Sequence, residues 1–91
     1  MKVVAIGSKF FVKFYRMFRV EGIEVSNSGE MLSAIQNIMK EGHVGVILVE
    51  KKMAKEIKEE IFQAKVEKPI PIIIDVDLRD MKNILSSLNN T

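Results

Sequence analysis

Cysteine is absent from this chain of 91 residues, and histidine occurs once. The first absence excludes a disulfide framework and a thiolate metal site, and it fits a reducing cytoplasm. The second leaves only His43, beside Gly42 in a loop, from which no Ser–His–acid set can be built. Glycine never forms the G-x-G-x-x-G or G-x-x-x-x-G-K-[ST] pattern, so the backbone donors of a phosphate loop are not written into the sequence. The longest apolar runs, such as Val44–Val49, are strand-sized, far short of the roughly 20 residues that a membrane span needs. Lys2 before Val3–Ile6 has the order of a signal peptide, but the run is too short, so a soluble, cytoplasmic chain is expected. Carboxylates are also missing from the first twenty residues, which hold Lys2, Lys9, Lys13, Arg16 and Arg19. With a net charge of +2 overall, the remainder carries −3. Such asymmetry suits an acidic partner or a phosphate backbone, but a solvated helix face explains it more simply.

What is present is alternation. Strand one is read at Lys2–Ile6, and helix one runs from an N-cap at Ser8 to Arg19. Glu21-Gly22 is read as a break before a brief strand two, Ile23–Val25. Asn27 followed by Glu30 has capping-box spacing for helix two, whose Met31, Leu32, Ile35, Ile38 and Met39 repeat with helical period until Gly42 stops it. Strand three, Val44–Val49, is apolar throughout, as expected for a strand covered on both faces. Helix three carries Met53, Ala54, Ile57, Ile61 and Ala64 on one side, with Lys52–Glu56 and Lys55–Glu59 as expected pairs on the other. Pro69 and Pro71 before Ile72–Ile74 suit an edge strand, since proline donates nothing to a ladder. A last helix is predicted at Leu78–Leu88, with Asn89–Thr91 as a frayed tail.

The pattern predicts one α/β domain over residues 1–91: a three-layer, Rossmann-like sandwich with a parallel sheet of order 2-1-3-4 and a C-terminal helix. In such sheets the strand carboxyl ends are where chemistry sits. A receiver domain has the same alternation, but it needs an acidic pair after strand one and an aspartate ending strand three. Here those positions read Ile6-Gly7-Ser8 and Val49-Glu50, so phosphotransfer is not expected. Asp75, Asp77 and Glu50 are oxygen donors near the strand ends, but a capping role for Asp77 and solvated loops for the others are expected instead of a metal site. No cofactor is predicted.

Two surfaces remain as candidates for binding. On helix one, Phe11, Phe14, Tyr15 and Phe18 centre a face flanked by Phe10, Met17 and Val12, leaving Lys9, Lys13 and Arg16 as a narrow stripe. The apolar arc is wider than one sheet requires, although core packing accounts for most of it. Nucleic-acid stacking is disfavoured, because helical periodicity turns the rings inward. On the last helix, Leu78, Met81, Leu85 and Leu88 recur at the seam spacing of a coiled coil. That stripe either packs on the sheet beside helix one or lies along a partner helix.

The residues also carry a family likeness. Ala5-Ile6-Gly7, Phe11-Val12 and Arg16 resemble the opening of the F subunit of archaeal-type and vacuolar-type rotary ATPases, a strand ending I-G followed by F-V-x-G-F-R-L-A-G. Val44–Val49 is similar to that family's G-I-I-L-V strand, Ala54 and Ile57 to its A-x-x-I helix, and Pro71–Ile74 to its fourth strand. Phe14 stands where the family usually has glycine, and Phe18-Arg19 where it has a small A-G pair. The resemblance implies a non-catalytic central-stalk subunit, peripheral to the membrane, that binds the coiled-coil stalk subunit and the catalytic ATPase head. It would help couple ATP turnover to proton or ion transport, with 78–91 as a movable C-terminal helix. Phe14, Phe18, Leu78, Met81, Leu85 and Leu88 form the candidate partner-binding set. The competing reading is a receiver-like or Rossmann-like small-molecule module without phosphotransfer chemistry.

Overall fold

The computed structural model describes residues 1–89; the tail positions Asn90 and Thr91 lie outside the described residues. Four parallel strands, β1 (Lys2–Gly7), β2 (Glu21–Glu24), β3 (Val44–Glu50) and β4 (Ile72–Val76), are ordered β2-β1-β3-β4. This is the predicted α/β architecture, with β1 and β3 central. Helices cover both faces. On one face α2 (Ser28–Glu41), α3 (Lys51–Ala54) and α4 (Lys58–Glu67) close over Ile6, Ile47, Val49 and Ile73. On the other, α1 (Lys9–Arg16) and α5 (Leu78–Asn89) enclose Ala5, Phe11, Phe14 and Met81.

Helix α2 follows its sequence signals closely. The Asn27 side chain accepts from the Glu30 N–H at 2.9 Å, and the Glu30 carboxylate accepts from the Ser26 N–H at 2.8 Å. The reciprocal bond thus reaches one residue further back than a capping box does. Met31, Ile35 and Ile38 are buried, and Gly42 ends the helix at φ +78°, a conformation that only glycine adopts without steric cost.

Several ends shift by one or two residues, Asn89 of the expected frayed tail being the last residue of α5, and three segments differ more substantially from the sequence reading. Helix α1 stops at Arg16, not Arg19, and Glu21-Gly22 belongs to β2. The break lies earlier, at Arg19, which takes φ +62°. Its N–H bonds to the Arg16 carbonyl at 3.0 Å, and the Val20 N–H reaches back to the Tyr15 carbonyl at 3.2 Å. These are the two bonds of a Schellman motif, with arginine in the place where glycine is usual. Gly22 then admits Val12: a Cβ there would meet Val12 Cγ1 at 2.5 Å. Val12 is therefore core, not flank.

The third difference is helix three, which is interrupted by a 3₁₀ turn at Lys55–Ile57. Ile57, at φ −123° and ψ 31°, leaves the helical region before α4 begins. Neither Lys52–Glu56 nor Lys55–Glu59 closes an ion pair. The apolar side survives, because Ala54, Ile57 and Ile61 still reach the core.

Candidate functional site

The strand carboxyl ends come first, because that is where an α/β sheet ordinarily binds ligands. Glu50 ends β3 and is only 3% exposed, not the solvated loop carboxylate expected from sequence. Its Oε1 accepts the Ser8 backbone N–H at 2.7 Å. Ser8 does occupy the N-cap position of α1, but its side chain makes no cap bond. A carboxylate from β3 thus takes the N–H of the N-cap residue itself, the donor that a capping-box glutamate would take from within the helix, and negative charge is favourable at the positive end of the helix dipole. Gly7 makes room for this contact. A Cβ there would lie 2.7 Å from Phe11 Cδ2 and 2.9 Å from the Glu50 carboxylate. At the N-terminus of α1, the N-cap N–H is thus engaged by the protein's own carboxylate.

Asp77 behaves as the sequence suggests. It accepts the Arg79 backbone N–H at 2.8 Å and meets the Arg79 guanidinium at 3.0 Å, capping α5. The side-chain bond to Arg79, helped by the backbone bond to the same residue, lowers its carboxyl from 3.8 to about 2. Asp75 lies within β4 and is exposed. Among the described residues, no three His, Cys, Asp or Glu side chains gather closely enough to hold a metal ion. His43 has a neighbour that the sequence did not suggest: its Nε2 lies 3.3 Å from the Glu41 carboxylate, on the surface.

The basic segment at the start of the chain is partly spoken for. Lys2 pairs with Glu21 across neighbouring strands at 2.7 Å, a bond that raises the lysine above its ordinary value. Arg16 points its guanidinium at the Gly22 carbonyl at a long 3.5 Å. Lys9 and Lys13 remain exposed.

The six candidate partner-binding residues divide into two groups. Phe14 and Met81 are internal: Met81 is 1% exposed and packs with Phe11, Phe14 and Ala5, while Leu78 and Leu85 are half-buried against the same cluster. The stripe Leu78, Met81 and Leu85 therefore fastens α5 to the sheet beside α1. Phe18, at 54%, and Leu88, at 57%, are open to solvent. Phe14 stacks edge-on against Tyr15 at 5.2 Å and supports the tilted ring of Phe18 at 5.4 Å, so the buried ring positions the exposed one.

Sequence reasoning missed Ile84, which is 51% exposed, one helical turn before Leu88. The regular seam drew attention to the inward stripe, whereas Ile84 and Leu88, four residues apart, form the exposed margin beside it. Ile72 and Ile74, also exposed, alternate with the buried Ile73 and share the sheet face of Leu48 and Val76, which is the α5 side. Together these residues give the α5 side an apolar exterior on an edge strand and an outer helix. Among the described residues, no helix is long and apolar enough to cross a membrane.

No curated protein sequence matches the chain. The sequence model for the family of the ATP synthase (F/14-kDa) subunit matches it over residues 3–87.

Proposed function

The chain belongs to the family of the ATP synthase (F/14-kDa) subunit, the F subunit of the archaeal- and vacuolar-type rotary enzymes, and from that premise we propose a non-catalytic role in the central stalk. It binds the coiled-coil stalk subunit, turns with it, and helps couple ATP synthesis or hydrolysis to proton or ion transport. It works at the cytoplasmic side of the membrane as a peripheral part of the assembly.

The observation that carries this reading is the exposed apolar margin of α5, beside its buried stripe. Ile84 and Leu88 are four residues apart, the spacing of a ridge that packs into the groove of another helix. Ile72 and Ile74 on the same side of the sheet, with Phe18 at the end of α1, extend the apolar surface available to a long helical partner. The buried Leu78–Met81–Leu85 stripe holds the helix that presents this ridge. Its docking through so few side chains also fits a helix that changes position during regulation.

Co-expression with the coiled-coil stalk subunit of the same rotary ATPase, followed by size-exclusion chromatography, tests the reading. Co-elution as a stable complex supports it. Clean separation of two folded proteins overturns it.

A further inference from the structure

A second surface lies on the opposite face of the sheet from α5. A cleft of about 330 Å³ opens between the α3–α4 segment and the edge strand β4. Lys51, Lys55, Lys58 and Lys65 stand along it, and Asp75 is the one carboxylate among its lining residues. Its apolar wall includes Ile61 and Ile73, and Phe62 stands at its lip with most of its ring exposed.

The spacing of the sequence offers glutamate partners on the same segment, yet these do not close on the lysines; Lys51 acts at longer range on Asp77, where its charge adds to the lowering by Arg79. Among the described residues, none of the four lysines forms an ion pair with any carboxylate. Like charges held along one edge repel one another, and a partner that supplies the opposite sign relieves this.

The shape of the row decides what kind of anion fits. The lysines fall at intervals of four, three and seven residues and all line the one cleft, so they form an extended row and not a cluster about one point. A phosphate group would meet one or two of them and leave the apolar wall unused. An amphipathic helix with carboxylates at three- and four-residue spacing meets the whole row and buries its own apolar side on Phe62 and the aliphatic stems of the lysines. We propose that the cleft between α3–α4 and β4 is a docking groove for an acidic amphipathic helix of a partner protein. Because α5 lies on the other face, this groove does not depend on the stalk reading.

The test uses the full chain and a synthetic helical peptide of about 18 residues, with leucines on one side and glutamates along the adjoining edge. A scrambled peptide of equal composition is the control. Binding is followed by fluorescence anisotropy, and the contacted amides by two-dimensional NMR. The expected result is preferential binding of the ordered peptide, weakened by salt, with shifts concentrated in α3, α4 and β4. Lys55→Glu with Lys58→Glu should lower affinity by about tenfold or more, and Phe62→Ser should lower it without changing the salt dependence. Both variants alter exposed positions, and circular dichroism checks that they remain folded. Equal binding of the scrambled peptide, or no binding of either at about 1 mM, overturns the proposal. So does unchanged affinity after charge reversal. Displacement of the peptide by inorganic phosphate or by single-stranded RNA at similar concentrations would make the cleft a general anion site and would overturn it equally.

Discussion

The carboxylate of Glu50 lies 2.7 Å from the backbone N–H of Ser8, joining the end of β3 to the start of α1 across 42 positions of sequence. The carboxylate is buried and Ser8 half-buried, so loss of the contact leaves a partly buried donor short of an acceptor. Glu50→Ala is expected to destabilise the domain by about 1–3 kcal/mol in chemical denaturation. Glu50→Gln keeps an acceptor oxygen and should lose less. A rotary assembly carrying Glu50→Gln should retain its ATPase turnover, and loss of turnover in a folded variant would point to catalysis at the strand ends.

Arg19 sits at φ +62° in a turn that glycine adopts freely. A left-handed conformation costs a side-chain-bearing residue about 1 kcal/mol or slightly more. Arg19→Gly should therefore raise the thermal midpoint by a few degrees, offset in part by the greater freedom of glycine in the unfolded chain. A fall in the midpoint would mean that the arginine side chain contributes more than its backbone costs.

The buried stripe of α5 and the exposed margin beside it should respond differently to substitution. Met81→Ala removes a fully buried side chain and is expected to cost about 2–5 kcal/mol. Ile84→Ser with Leu88→Ser alters the outer ridge, so stability should change little while co-elution with the coiled-coil stalk subunit weakens. Unfolding of the double variant would assign that ridge to the core. Unimpaired co-elution would remove it from the partner surface.

Asp77 links the cap of α5 to acid. Its carboxyl is lowered from 3.8 to about 2, so the folded state holds it ionised where the unfolded chain would begin to protonate it. Its contribution to stability is complete above pH 3.8, declines as the pH falls and is gone below about 2. A carboxyl NMR titration should find Asp77 among the last side chains to protonate. Asp77→Asn should preserve the cap while removing its dependence on pH over that window. An ordinary midpoint for Asp77 would contradict the Arg79 contact.

Much of the fold was legible because its signals are local. The apolar run Val44–Val49 marks a central strand, and Asn27 with Glu30 marks the start of α2. Pro69 and Pro71 correctly lead into an edge strand. The misreadings arose where a contact distant in sequence or an exception to a local rule decided the outcome. Glu50 looks like a solvated strand-end carboxylate until Ser8 is brought beside it. Arg19 terminates α1 although its side chain gives no warning of a left-handed turn. The 3₁₀ turn is hidden because Ala54, Ile57 and Ile61 keep their inward spacing through it. On α5 the seam was seen, but its inward direction, and with it the exposure of Ile84, became clear only when Met81 was found against Phe11 and Phe14.

The central place of β1, paired on one side with β2 and on the other with β3, also bears on how the protein is made. The ribosome delivers β1, α1, β2 and α2 before any part of β3 exists. During that interval β1 has one edge unpaired, and the Ser8 N–H has not met Glu50. A two-stranded ribbon with its two helices and no central β3 is marginal in water, so the domain should gain lasting order only after Glu50 has left the exit tunnel. A ribosome stalled within α2 would be holding an adhesive apolar chain, a substrate for chaperones or proteases rather than a half-built domain.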